Sequence, residues 1–211
     1  RQMCIRDRYD TNLKIKDHFK WISRFYHNFE IEKAFEIAKK FNLDTNKRLK
    51  ALSKGYQSIF KLTVALALNV PYVIFDEPVL GLDANHRELF YDLLLKDYEN
   101  NERTIIIATH LIEEVANIIE EVVLIDKGTV LLQQDVETLL ETGYSVSGLE
   151  NEVANYCNGK NVIGYDELGN LKIAYILGSK TTVPQGNHLQ FSPMNLQKLF
   201  VKLTEKGGQL T

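Results

Sequence analysis

Two adjacent carboxylates, Asp76 and Glu77, close the apolar run Tyr72–Phe75, and Pro78 follows to stop strand pairing from continuing. Neighbouring acids tolerate each other only with a cation or a shared proton nearby. Phosphoryl chemistry supplies that cation: the first carboxylate reaches Mg²⁺, often through water, and the second orients an attacking water. The bland alternative is a turn or helix cap. Upstream, Ser53 and Gly55 lie in Leu52-Ser53-Lys54-Gly55-Tyr56, immediately before a helical pattern that starts near Gln57. A hydroxyl, a glycine N–H and a helix N-terminus facing one point make an anion site. The commoner use of such a serine is an N-cap alone. Downstream, Thr109-His110 ends the next apolar run, Thr104–Ala108, where a histidine can hydrogen-bond a phosphate oxygen.

The elements that position these residues follow from periodicity. Residues 9–51 read as helical, with Phe19, Ile22, Phe25 and Tyr26 at one helical spacing and Ile31, Phe35, Ile37 and Ala38 at another. A further helix runs from about Gln57 to Asn69 and stops at Pro71. Tyr72–Phe75 and Thr104–Ala108 are short continuous apolar runs, the pattern of strands buried on both faces. A helix over Ala84–Glu99, capped by Asp83, separates them, and a helix over Ile112–Glu120 with a strand over Val122–Asp126 continues the alternation. Strand–helix–strand order predicts an α/β fold with a parallel, doubly wound sheet, in which chemistry gathers at the strands' C-terminal ends. Lys127–Gly128 turns a hairpin into Thr129–Gln133, and Val136–Glu141 is a short closing helix. From Thr142 onward, glycines punctuate short segments, Glu167–Asn170 reads as a hairpin turn, and Asn195–Glu205 is an amphipathic helix. Residues 143–211 therefore read as a small α+β accessory domain. Asp166 and Glu167 have no cationic or histidine partner nearby in sequence and read as turn residues.

Composition narrows the class. The chain has 211 residues, 45 % hydrophobic and 25 % charged, with net charge −3, which argues against a nucleic-acid surface or a polybasic anchor. Cys4 and Cys157 form no metal-ligand or redox spacing, so a reduced cytoplasmic setting is expected. The longest apolar stretch, Leu62–Phe75, is interrupted by Asn69 and Pro71 and is too short to span a bilayer. Met3–Arg8 reads as translated adapter sequence, so residues 1–8 are expected to be an artefact or a truncation junction. A natural charged N-terminus is the alternative.

In order, LSKGYQS, VIFDEP, LGLD and ATH resemble the signature motif, Walker B, D-loop and switch histidine of ABC transporter ATP-binding subunits. That resemblance implies a partial P-loop NTPase (ABC ATPase) domain over residues 9–142, a parallel sheet with residues 9–51 as its helical subdomain. It further implies that Asp76 holds Mg²⁺, Glu77 polarises the hydrolytic water and His110 contacts the γ-phosphate of ATP. Asp83 would couple the two nucleotide sites of a dimer, and Ser53 and Gly55 would touch ATP held by the opposite subunit. Lys54 stands where the family has its first signature glycine and Tyr56 where it has glutamine, which puts ligand contact by Tyr56 in doubt. The ending Pro193-Met194-Asn195-Leu196, with Leu199-Phe200, resembles the subfamily that works with ABC-2-type permeases. The implied partners are transmembrane permease subunits and a second ATP-binding subunit, identical or not, with no nucleic acid. The implied place is the cytoplasmic face of the cell membrane, and the implied direction is export.

No G-x-x-x-x-G-K-S/T loop occurs in these residues. Gly178-Ser179-Lys180-Thr181 lacks the preceding glycine and is a decoy. The glutamine loop is also missing, so the chain by itself is expected to be inactive. The alternatives are a non-transport ABC ATPase or an inactive interaction domain. The first calls for two cassettes or long coiled coils, which the sequence lacks. The second is at odds with Glu77 and His110, which packing does not require.

Overall fold

In the computed structural model, residues 9–180 and 188–205 are described, so Cys4, the expected junction at 1–8 and Thr181 of the decoy lie outside the described residues. The chain forms two compact units, 1–110 and 111–211. The division falls after His110, upstream of the change in composition at Thr142.

The first unit opens with three helices, α1 (Ile15–Phe25), α2 (Ile31–Lys40) and α3 (Lys54–Ala67). On α1 the buried face is Ile15, His18, Phe19 and Ile22, the i, i+3, i+4, i+7 stripe of a core-facing helix. Phe19 packs edge-on against Phe35 with centroids 5.3 Å apart and lies nearly parallel to Phe60 at 6.0 Å. The expected stripe through Phe25 and Tyr26 does not stay inside: both are exposed, because the helix ends at Phe25 and Tyr26 leaves it in an extended conformation. Helix α3 starts three residues earlier than its periodicity indicated, because Ser53 caps it. Lys54, Gly55 and Tyr56 therefore form its first turn.

Strand β1 (Tyr72–Asp76) is followed by α4 (Ala84–Asn100) and β2 (Thr104–Ala108), and the two strands pair in parallel, Tyr72 with Thr104 through Asp76 with Ala108. Phe75 lies beneath α4, edge-on to Phe90 at 5.4 Å. The sequence suggested burial on both faces. Instead, Tyr72, Ile74 and Ile106 are exposed, because α4 covers one face of the pair and alternate residues point to the other.

A buried charge cluster ties these parts together. Asp97 on α4 accepts from Lys33 of α2 at 2.7 Å and pairs with Arg103, whose guanidinium also donates to the Leu68 carbonyl at 2.9 Å.

The second unit contains α5 (Ile112–Val115), β3 (Glu121–Asp126), β4 (Thr129–Asp135), α6 (Val136–Thr142), β5 (Gly143–Leu149), α7 (Glu150–Cys157), β6 (Asn161–Leu168), β7 (Leu171–Leu177), β8 (Gln190–Pro193) and α8 (Leu196–Glu205). The strand at Val122–Asp126 does not extend the parallel sheet as expected. It pairs antiparallel with β4 through the hairpin expected at Lys127–Gly128, a tight turn in which both residues have positive φ, 46° and 79°. That conformation matches hairpin twist and brings the next strand straight back. The expected helix to Glu120 is a single turn ending at Val115.

Strands β6, β7, β5 and β8 form one antiparallel sheet. Tyr144, Val146, Ala174 and Ile176 pack with Val153 and Cys157 of α7. Alternation sends Tyr175 and Ile173 to the other face, where α8 packs through Leu196, Leu199 and Leu203 beside Leu124 and Leu139. Asp166 is more than a turn residue. It binds Lys202, which only the return of α8 supplies, at 2.5 Å, and accepts from the Tyr175 hydroxyl of the neighbouring strand β7 at 2.8 Å.

Candidate functional site

Glu77 follows the last residue of β1, and its N–H continues the parallel pairing by donating to the Ala108 carbonyl at 2.8 Å. Its φ of 46° is unusual for a residue with a side chain. The surroundings hold it there. Thr109 Oγ1 donates to Glu77 Oε2 at 2.9 Å, and the His110 N–H donates to Oε1 at 3.0 Å. His110 Nδ1 lies 2.6 Å from the same Oε1. An ionised carboxylate only accepts, so this ring nitrogen carries a proton directed at Glu77. Partial burial pushes the Glu77 carboxyl up, but the bonds from His110 and Thr109 outweigh it and hold the group below the usual carboxylate range.

Asp76, the other half of the pair, is exposed at the strand end. One carboxylate there fits Mg²⁺, which takes one or two carboxylates and completes its shell with water and substrate phosphates. Among the described residues no group of three or more His, Cys, Asp and Glu side chains gathers as an all-protein cage.

The second cluster sits at two helix starts. Ser53 Oγ accepts from the Tyr56 N–H at 3.3 Å, the N-cap alternative realised, while Gly55 lies in the first turn, where N–H groups have no intrahelical acceptor. A Cβ on Gly55 would stand 3.4 Å from the Gly81 carbonyl oxygen, so the first turn of α3 and the Leu80–Asp83 loop abut. Gly81 has φ +82°, a conformation that favours glycine. Asp83 caps α4 by accepting from the His86 N–H at 3.0 Å, and its second oxygen meets His86 Nδ1 at 2.7 Å. The backbone bond from His86, and then its ring, hold the Asp83 carboxyl below its ordinary range. Arg87 Nε fastens the preceding turn by donating to the Leu82 carbonyl at 2.9 Å.

The structure thus brings Glu77 to Thr109 and His110, and Ser53–Tyr56 to the loop that ends at Asp83. His86 and Arg87 were not singled out by sequence reasoning. The available signal was a histidine three residues after a capping aspartate, where the first helical turn brings the two side chains together.

Residues 7–116 match the family model described as "AAA domain, putative AbiEii toxin, Type IV TA system", a span of more than half the chain. The chain belongs to this AAA-domain family. Its homologues are ABC transporter ATP-binding proteins. The chain is 27% identical over 132 residues to the ABC transporter ATP-binding protein NatA of Bacillus subtilis, covering 60% of this chain and 53% of NatA. It is 38% identical over 80 residues to the energy-coupling factor transporter ATP-binding protein EcfA2 of Mycoplasmoides gallisepticum, covering 38% of this chain and 25% of that protein. The AAA-domain chain therefore spans about half the length of NatA and less of EcfA2.

Among solved structures, an ATP-binding subunit of an ABC transporter superposes with a TM-score of 0.57 at 17% identity, over 64% of this chain and 57% of that one. A dimeric bacterial ABC transporter cassette gives 0.52 at 24% identity, over 60% and 58%. These likenesses show the fold: helices and strands arranged as in P-loop NTPase domains, with a parallel sheet. No helix among the described residues is long and apolar enough to cross a membrane.

Proposed function

We propose that this chain is part of an ATP-binding subunit that hydrolyses ATP to drive an ABC transporter. The carrying observation is Glu77, held at positive φ with both carboxylate oxygens tied to Thr109 and His110 at the end of a parallel strand. A carboxylate offers about four lone-pair sites. The three donors named above leave room for one more, the place for a water aimed at the γ-phosphorus. Its depressed pKa keeps Glu77 ionised near neutrality, so it orients and polarises that water. The water's oxygen bonds to phosphorus as the bond to the bridging oxygen breaks, giving ADP and phosphate.

Asp76 is the residue to hold Mg²⁺, which neutralises charge on the phosphates when bound. His110 reaches the γ-phosphate while its other ring nitrogen stays on Glu77. Ser53 and Gly55 offer a helix N-terminus to the nucleotide of a second ATP-binding subunit, and Asp83 joins the two sites. Transmembrane permease subunits complete the assembly at the cytoplasmic face of the membrane. The resemblance of Pro193–Phe200 to the partners of ABC-2-type permeases supports export. The test is ATP turnover by Glu77→Gln in the protein expressed from its complete gene: turnover is lost while ATP binding remains, and near-parental turnover rejects the assignment.

A further inference from the structure

The first turns of α3 and α4 share one side chain. The His86 ring, in the first turn of α4, lies with its centroid 5.7 Å from that of Tyr56 in the first turn of α3, the planes at 72°. On another side it stacks on Phe41, which ends α2, with centroids 6.0 Å apart and planes at 30°. Its Nδ1 is committed to Asp83 Oδ2. Capping alone does not require that bond, because the backbone N–H of any residue at position 86 can serve the other oxygen. The ring is therefore fixed by a hydrogen bond at one edge and aromatic surfaces around it, an arrangement with defined geometry and little rotational freedom. The same two turns also approach through backbone, at Gly55 and Gly81.

Building on the ATPase reading above, we infer that His86 is a positioning residue that locks the Asp83 loop to the signature turn, so that Ser53, Gly55 and Asp83 meet the nucleotide as one preformed surface. Without the lock, each turn must be ordered when nucleotide binds, and that ordering cost weakens binding. His86 itself touches no reacting atom, and its effect passes through Asp83 and Tyr56.

Two substitutions in the protein expressed from its complete gene separate the tether from the ring. His86→Phe keeps an aromatic ring but loses the bond to Asp83; His86→Asn keeps a short donor but loses the ring. The expected result for His86→Phe is a KM for MgATP raised about fivefold with kcat within about twofold, the pattern of lost uniform binding. Its melting temperature stays near the parent's. His86→Asn recovers part of the KM. Adding Tyr56→Leu to His86→Phe raises KM by less than the product of the single effects, because the two side chains act through one contact. Parental KM in His86→Phe, or a change confined to melting temperature in both variants, overturns the proposal. Should neither variant fold, Tyr56→Leu alone must raise KM several-fold, and a parental value there overturns it. Glu77→Gln run alongside separates the two readings. Surviving turnover in that control rejects the ATPase assignment, whereas its loss with unchanged kinetics at His86 and Tyr56 rejects only the lock.

Discussion

His110 Nδ1 stands 2.6 Å from Glu77 Oε1, and the backbone N–H of the same histidine donates to that oxygen at 3.0 Å. Two residues that are 33 positions apart are thus one hydrogen-bonded unit, made possible because β1 and β2 are parallel neighbours that end at the same level.

This unit makes Glu77→Gln informative beyond loss of turnover. The amide keeps one oxygen to accept, but its NH₂ faces donors, so at least one of the bonds from Thr109 and His110 is lost. The folded-state pKa of Glu77 is depressed, so its contribution to stability is present above the unfolded value of about 4.3 and lost as pH falls through the lower folded value. Melting curves of parent and variant are expected to differ at pH 6 and converge under acid conditions.

The chain of 211 residues on its own is expected to show no specific MgATP affinity. Under the proposed function Ser53, Gly55, Asp76 and His110 would approach a phosphate, but none forms the backbone cradle and lysine that a phosphate-binding loop provides. Isothermal calorimetry is the check. Sub-millimolar affinity would mean that the principal nucleotide site lies elsewhere in these residues.

Asp97→Ala is expected to destabilise the first unit by about 3–5 kcal/mol, the usual cost of removing one partner from a buried ion pair. The variant strands Arg103 and loosens Lys33, which join α2, the end of α3 and the start of β2 to α4. Chemical denaturation of the variant measures the loss. Replacing the pair with apolar residues of similar volume is expected to cost much less.

Gly164→Ala tests how α8 is seated. A Cβ there would lie 2.6 Å from Lys202 Cδ, and Lys202 cannot swing aside because its ammonium is held by Asp166 and Glu205. A loss of about 1–3 kcal/mol is expected from overpacking, read by thermal melting. The same cluster sets a pH window. Hydrogen bonding from Lys202 lowers the Asp166 pKa, so that contribution is lost as pH falls through the depressed folded value. Bonding to Asp166 raises the Lys202 pKa, so its contribution is present below the unfolded value of about 10.4 and is lost as pH rises through the higher folded value. Stability of α8 docking is therefore expected to be flat between the unfolded values of the two groups, about 3.9 and about 10.4, and to fall outside that window.

The sequence by itself determined the local elements and the order of the chemical groups. An apolar run marked Thr104–Ala108 at its observed bounds, and Asp83 was recognisable as a cap because capping depends on the following three residues. Asp76-Glu77 and Thr109-His110 were legible as strand-end groups because periodicity and proline punctuation act over a few positions.

Tertiary structure decided what each group meets. The Lys127–Gly128 hairpin was legible because its turn is local, but whether Glu121–Asp126 also continued the parallel alternation depended on competition between pairings, which the tight turn decides for Thr129–Asp135. Asp166 read as a turn acid because its partner, Lys202, lies 36 residues away, and no local pattern encodes that meeting. The exposure of Ile74 and Ile106 likewise depends on which elements cover a sheet face, a property of packing that an apolar run cannot report. His86 had a local signal for its bond to Asp83 but none for its bridging contacts, for the same reason. Its neighbours Tyr56 and Phe41 belong to other helices, and only their packing turns a capping-turn histidine into a bridge.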